Sequence, residues 1–446
     1  MLAVIQILRS KSFSSLVGNG LGAILGMLTF ALLARILPKD AFGPYIVFLA
    51  IYGIFETLRI GMVMNAMVRN LSQCSNEAEE KKVIGSTLLI TLLITLMYMV
   101  LMAILYFLFK SLGLFLDYIF FFKWLVALAV LTLPNNYTTW YLNAKLRIIS
   151  MSSIRIISQL LFIAYIWVFV KADPSIYNVL NGYLISQGII SLVCVLMGWS
   201  GFQYLFQYTQ KVVLEIFHFG KYSMGTLLGS NLLRSSDTFI IGSSILGSGG
   251  VAIFNVPSRI LEVVEMPLRS FAVTALPQFA KQFADKNYEA LRFEFEKKAG
   301  MVFFLLLPIA IICFVFADWV VLLIGGTGYS ESANILRFFA SYMAILPLDK
   351  FSGVMLDTIN KPHLNFYKVG IQLFVNIVGD YLAILIFGNL ESVALVSTLT
   401  FIAGMIFGYY QLNKHMGIKF KNVLVYGWIE FSGHILKILK LKKHEA

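Results

Sequence analysis

The stretch NLLRSSDTFIIGSSILGSGGVAIFNVPSRILEVVEMPLR, residues 231–269, places Arg234, Asp237, Arg259, Glu262, Glu265 and Arg269 in sequence otherwise apolar enough to lie in a membrane. At that depth an ionisable side chain is destabilising by about 3 kcal/mol unless it meets a partner or water, so such a concentration marks a functional region. On a helix turning about 100° per residue, Arg259, Glu262, Glu265 and Arg269 share an arc of roughly 120°, with Ile260, Leu261, Val264 and Phe271 mainly elsewhere. Pro257 and Pro267 are expected to interrupt this helix, which a membrane tolerates where neighbouring protein or water bonds the freed carbonyls. The expectation is a hydrated central cavity.

The rest of the chain fits that setting. Of 446 residues 59% are hydrophobic and 13% charged, against roughly 25% charged in soluble domains, which reads as an all-α polytopic membrane protein. Ten prolines and no long polar tract leave little room for a soluble domain. Cys74, Cys194 and Cys313 lack metal-ligand spacing and do not suggest a disulfide framework.

Twelve apolar runs are expected to span the bilayer: 12–37, 42–68, 83–108, 118–142, 149–170, 177–197, 222–246, 251–279, 299–324, 333–359, 364–387 and 393–412. The first is kept as a span because its apolar run is too long for a cleaved signal peptide. Lysines and arginines in the connections divide 24 against 6 between the two sides, with Lys368 counted among the surface cations and Arg59, Arg234, Arg259, Arg269 and Lys350 left in spans. The richer side, which carries both termini, is expected to be cytoplasmic. The net charge of +12 therefore maps to one membrane face and does not point to nucleic acid. Residues 280–298 read as a solvated charged helix. The tail reads as an interfacial amphipathic helix, with Glu430, Gly433, Lys437, Lys440 and His444 opposite Val425, Trp428, Ile429, Leu436 and Leu439; a frayed tail is the alternative.

The chain is internally repeated. Residues 36–47 lie over 245–256 at an offset of 209, and Pro134 and Gln159-Leu160 lie over Pro347 and Gln372-Leu373 at an offset of 213. An offset covering six spans implies parallel repeats: an N-terminal lobe over 1–210, a C-terminal lobe over 211–414 and a cytoplasmic tail over 415–446. Two six-helix lobes around a polar cleft suit a transporter working by alternating access. The cations Arg59, Arg234, Arg259, Arg269 and Lys350 suit an anionic cargo, since guanidinium forks match phosphate oxygens. Glu56, Asp237, Glu262 and Glu265 stand three or four residues from an arginine and are equally suited to pairing with it. Asp237, Asp349, Asp357 and Asp380 are candidates either for H⁺ or Na⁺ coupling or for such pairing; Asp349 and Lys350 follow Pro347 at an expected kink.

In three places the sequence resembles a known family: Gly18, Gly20, Gly22 and Gly26 in the opening span, ALLARILPKDAFGPY at 31–45, and FGNLESVA at 387–394, where Glu391 to Val393 replace the small residues usual there. It is similar to the polysaccharide-transporter branch of the multidrug/oligosaccharidyl-lipid/polysaccharide (MOP) exporter superfamily, and most so to Wzx-type O-antigen flippases. The resemblance implies a MATE-like fold in a bacterial inner membrane. It also implies flipping of an undecaprenyl-diphosphate-linked oligosaccharide, such as a lipopolysaccharide repeat unit, to the periplasmic leaflet, with membrane lipid, a polysaccharide polymerase and chain-length machinery as partners. No cofactor or metal is expected. No nucleotide-binding loop, histidine cluster or nucleophile motif suggests an enzyme. The alternative is a cation-coupled multidrug exporter of the same superfamily, which would favour acids over cations in its cavity; a structural scaffold is a third reading.

Overall fold

The computed structural model describes the backbone of residues 11–113 and 119–444, with side chains from 18 to 433 except at 19, 222, 223, 226 and 273. The expectations resting on Arg9 and on the side chains of Lys437, Lys440 and His444 lie outside the described residues. Within them the regular structure is helical: α1 (Lys11–Ile36), α2 (Lys39–Leu71, with a π-helical turn at Ile60–Met64), α3 (Glu77–Leu112), α4 (Phe121–Leu131), α5 (Leu133–Ala144), α6 (Ile148–Val170), α7 (Ile176–Leu196), α8 (Gln210–Gly242), α9 (Gly247–Ala284), α10 (Tyr288–Val315), α11 (Ala317–Gly325), α12 (Ser332–Met343), α13 (Leu346–Thr358), α14 (Pro362–Phe387), α15 (Leu390–Met416) and α16 (Phe420–His444). Among them α2, α3, α6, α7, α10, α14 and α15 are each long and apolar enough to cross a membrane. The other expected spans fall on α1, on the broken pairs α4/α5 and α12/α13, and on the charged α8 and α9. The result is an all-α polytopic membrane fold.

The chain divides into two compact units, residues 1–232 and 233–446, with the division inside α8. In unit 1, α1 packs on α6 and α6 on α7. One core gathers Val63, Leu88, Tyr137, Trp140 and Ile216. The first part of α8 lies backbone to backbone on α2: a Cβ on Gly61 would strike the Met224 backbone, and one on Gly220 the Met62 carbonyl. In unit 2, α14 packs on α15, α12 on α9 and α15, and α10 on α16.

Both units contain a helix broken ahead of a proline. α5 starts after the break at Thr132 with Pro134 in its first turn, and α13 after Ile345 with Pro347 there. A first-turn N–H has no intrahelical acceptor, so proline is tolerated there while still ending the preceding helix. The two breaks reproduce the 213-residue offset, and the second is the kink expected before Asp349.

α9 departs from expectation. It runs unbroken through Pro257, Pro267 and Pro277. Each proline removes one backbone donor, and the acceptor orphaned by Pro257 is the Ile253 carbonyl. Ser332 of α12, fully buried, donates its hydroxyl to that carbonyl at 2.7 Å, so a tertiary bond replaces the missing helical one.

The charged helix expected over 280–298 also differs. α9 extends to Ala284 and α10 begins at Tyr288, leaving a three-residue turn. Glu296 is only 1% exposed, because the chain before and within α16 folds over it. Arg292 Nε, the Lys419 amide and Asn422 Nδ2 donate to its Oε1 at 3.2, 3.2 and 3.4 Å. α16 and α10 touch at Gly427 and Gly300, with no room for a Cβ on either. Beside that contact lie the Phe293–Tyr426 and Phe304–Trp428 ring pairs, 5.1 and 5.2 Å apart, and the Lys297–Glu430 ion pair at 3.2 Å. Up to residue 433 the tail is thus a packed helix, with Val425, Trp428 and Ile429 on its exposed side.

Ser332→Ala should destabilise the protein by about 1–3 kcal/mol by leaving a buried carbonyl unsatisfied, read as a lower melting temperature of the purified protein. No change would mean that another donor takes over. Gly427→Leu should lower it as well, since overpacking typically destabilises by about 1–3 kcal/mol, and should increase protease cleavage within α16.

Candidate functional site

In unit 2 the charges of the opening stretch assemble into a ladder. Along α9, Arg259 bonds Glu262 at 2.7 Å three residues on, and Arg269 bonds Glu265 at 2.7 Å four residues back, spacings that put both partners on one helical face. From α8, Arg234 reaches across to Glu262 at 3.3 Å and to Glu265 at 3.0 Å. Among these five described side chains, three arginines thus share two glutamates.

Exposure decides what such pairs can do. The side chains of Arg234, Arg259 and Arg269 are 44%, 33% and 46% exposed. Ion pairs this open contribute only about 0–1 kcal/mol each, so an anion with more acceptor oxygens can displace a glutamate. Lys350 is exposed and within electrostatic range of Glu265 and Arg269, adding a further cation to the same neighbourhood.

Arg59, expected among the cavity cations, is placed differently. It lies in unit 1 and is 4% exposed. Its terminal nitrogens donate to Thr95 Oγ1 (3.2 Å), the Ala129 carbonyl (2.9 Å), Thr132 Oγ1 (3.2 Å) and the carboxylate of Glu56. Glu56 also accepts from Asn136 Nδ2 at 3.0 Å, and the Tyr52 hydroxyl donates to Thr132 at 3.0 Å. Breaking a pair this buried typically destabilises by about 3–5 kcal/mol, so Arg59 is held where the ladder arginines are exchangeable.

Two more constellations occupy unit 2. Asp237 of α8 accepts from Asn376 Nδ2 at 2.7 Å and from Ser397 Oγ at 3.3 Å. Ser236 in turn hydrogen-bonds Asn376. Asp380 of α14, fully buried, presses its carboxyl against that of Asp237, and no other described group bonds either of its oxygens. Two facing carboxyls cannot both stay ionised unless a cation lies between them; otherwise the pair keeps one proton.

Asp349, by contrast, is neutralised within the fold. Lys368 donates to its Oδ1 at 2.9 Å and to its backbone carbonyl at 2.7 Å, and Gln372 adds a bond at 3.2 Å. Lys368 is therefore not a surface cation as expected but a buried one, 3% exposed. Asp357 is exposed and accepts from Asn365 at 2.9 Å.

Lys368, Gln372, Asn376 and Asp380 were available to sequence reasoning as one group. They recur every four residues on α14 and are all buried. Among the described residues no cluster of three or more His, Cys, Asp or Glu has the arrangement of a metal site. Cys74, between α2 and α3, has its thiol pushed up by burial and by Glu79 and Glu80, so it is not activated as a nucleophile.

Comparison with known proteins agrees with this architecture. No curated protein matches the sequence. Among solved structures, the chain is similar to an inward-facing multidrug resistance MATE family transporter of the MOP superfamily (TM-score 0.69, 15% identity, 95% of this chain and 96% of that one). It is also similar to the lipid II flippase MurJ in an inward closed conformation (TM-score 0.72, 15% identity, 96% and 92%). A third is a MOP superfamily transporter from Pyrococcus furiosus, whose description notes a binding pocket of reversed polarity (TM-score 0.62, 15% identity, 96% and 98%). The MatE family model matches residues 223–382. The model described as "Polysaccharide biosynthesis protein" matches residues 8–283, well over half of the chain, and the protein accordingly belongs to that family, with the fold of the MOP superfamily.

Proposed function

We propose that this protein flips an undecaprenyl-diphosphate-linked oligosaccharide, an O-antigen or similar surface-polysaccharide repeat unit, from the cytoplasmic to the periplasmic leaflet of a bacterial inner membrane by alternating access through a cationic cavity. The observation that carries the reading is the set of exchangeable arginines, Arg234, Arg259 and Arg269, with Lys350 beside it, in a member of a polysaccharide biosynthesis family. A diphosphate offers more acceptor oxygens than the two glutamates that now hold the arginines, and guanidinium forks bind such groups in pairs of hydrogen bonds. The glutamates would act as placeholders that keep the arginines neutralised between cargoes. Arg59 and Glu56 would hold unit 1. Orientation rests on the lysine and arginine bias, which survives the removal of Lys368 from the count, and puts both termini in the cytoplasm. The product would pass to a polymerase and chain-length machinery.

Asp237 and Asp380, with Asn376 and Ser397, are the groups that would hold a coupling H⁺ or Na⁺; Asp349 is already neutralised by Lys368. An inside-negative potential favours outward movement of an anion by about 2.3 kcal/mol per charge per 100 mV, and release of a cation inward would add to that drive. The MatE match over 223–382 supports the second reading, export of amphiphilic cationic drugs, but an excess of arginine over glutamate is the wrong polarity for that cargo.

The test uses proteoliposomes loaded with a fluorescent undecaprenyl-diphosphate oligosaccharide and a membrane-impermeant quencher. Arg234→Ala and Arg259→Ala should each slow transfer about tenfold or more, the equivalent of one lost charge-assisted bond. In the first, Glu262 and Glu265 each keep one arginine, so the protein should still fold. Normal transfer in both variants, or transport of ethidium in place of the lipid, would overturn the reading. Arg59→Met should instead reduce the yield of folded protein. Asp380→Asn, whose amide can bond Asp237, should fold and lose dependence on an imposed Na⁺ or pH gradient; retained dependence would move the coupling site elsewhere.

A further inference from the structure

Unit 1 contains a cavity of about 300 Å³ that the cation ladder does not use. It lies between the start of α3, the α5–α6 turn and the segment 198–207 after α7. Its walls include the rings of Tyr141, Trp199 and Tyr204, and its polar groups are Arg147, Ser150 and Gln203. Pockets that enclose small molecules begin at about this volume and combine apolar or aromatic walls with a few convergent polar groups.

The walls are built in advance. Gly198 and Gly201 take left-handed backbone (φ 69° and 71°) and turn the chain so that Trp199 enters the lining. A Cβ on Gly201 would strike Ile84 and Tyr137, and one on Gly85 would strike the backbone at Tyr204 and Gln207, so the segment is seated directly on α3. The Thr209 amide donates to Ser86 Oγ at 3.0 Å and ties the chain just after the segment to α3.

The charge balance is specific. Glu80, bonded to the lining residue Tyr141, accepts from Lys145 at 2.5 Å and from the Tyr141 hydroxyl at 3.0 Å. Lys81 lies over the Tyr204 ring, 5.9 Å from its centroid. Arg147 lies within electrostatic range of Glu80 and Tyr141 but is exposed, and among the described residues its guanidinium makes no hydrogen bond, so its fork is open to a ligand. It is the residue that precedes α6, and Ser150 lies in that helix's first turn, which has no side-chain cap. Aromatic faces with a side-chain amide and a hydroxyl suit a polyol ring, and a guanidinium fork suits a phosphate.

We infer that this cavity binds a phosphorylated polyol, either a sugar phosphate or the phosphodiester headgroup of a membrane lipid, with phosphate on Arg147 and the hydroxyl-bearing part against Tyr141, Trp199 and Tyr204. On the orientation proposed above the site opens to the cytoplasm; its occupation requires neither that orientation nor flipping.

The full-length purified chain would be titrated calorimetrically with glucose 1-phosphate, glucose and inorganic phosphate. In parallel, phosphatidylglycerol retention from nanodiscs would be measured by native mass spectrometry. One equivalent of glucose 1-phosphate should bind at least tenfold more tightly than glucose or phosphate, and Arg147→Ala and Trp199→Leu should each weaken it tenfold or more. Both side chains are exposed, so the variants should fold; Lys211→Ala, on the exposed start of α8, should bind normally. Phosphatidylglycerol retained in place of the soluble ligand, and lost in Arg147→Ala, supports the site with lipid as its source. Failure of both probes to bind, binding unchanged in Arg147→Ala, or phosphate alone binding as tightly as glucose 1-phosphate overturns the inference. Transfer of the lipid-linked oligosaccharide is not the readout, so failure here leaves the flippase proposal standing.

Discussion

A charge inside a hydrocarbon slab must be answered by the helices around it, because neither lipid nor bulk water will do so. The organisation of both units follows from how each charge meets that demand. Arg59 is enclosed by Glu56, Thr95, Thr132 and a carbonyl from α4, and Lys368 by Asp349 and Ser352. These ties fix helices to one another at depth. Arg234, Arg259 and Arg269 meet the same demand incompletely, sharing two carboxylates in a half-exposed setting. The difference between a closed and an open answer separates residues tied into the fold from residues whose charge stays accessible.

Proline poses the same problem in the backbone. A donor missing from a membrane helix leaves a carbonyl that water cannot reach, and at Pro257 a serine from α12 fills the gap. Where proline sits in a first turn, as at Pro134 and Pro347, no such help is needed and the chain simply breaks. The same residue type therefore sits inside a continuous helix in one place and just after a break in another, and at Pro257 a neighbour's hydroxyl makes good the lost bond.

This marks the limit of what the sequence could tell. Apolar run length marked out the spans, the proline at 347 marked one of the two breaks and its match to Pro134 pointed to the other, and a 100° periodicity put Arg259, Glu262, Glu265 and Arg269 on one face, because each is a property of a single helix; the same reading of proline failed at Pro257 and Pro267, where α9 runs on. Which helix stands opposite is not such a property. Arg234 bonding both glutamates and Ser332 rescuing α9 join residues 28 to 79 positions apart, and nothing in local spacing specifies them. Lys368 was misplaced for a related reason: its nearness to Lys361 and Pro362 looks like a connection, while its link to Gln372, Asn376 and Asp380 appears only when the four are read as one face.

That face has a mechanical consequence. From Lys368 to Asp380 is about 18 Å of helix at 1.5 Å per residue, and throughout it one side of α14 presents a lysine, two amides and a carboxylate, all buried. Its opposite side shows Phe374, Tyr381 and Leu385. Rolling α14 about its own axis would carry four polar groups into lipid at once, a far larger penalty than tilting or sliding it with its partners attached. The stripe acts as a keel, permitting the helix to pitch or shift along its length and forbidding it to turn.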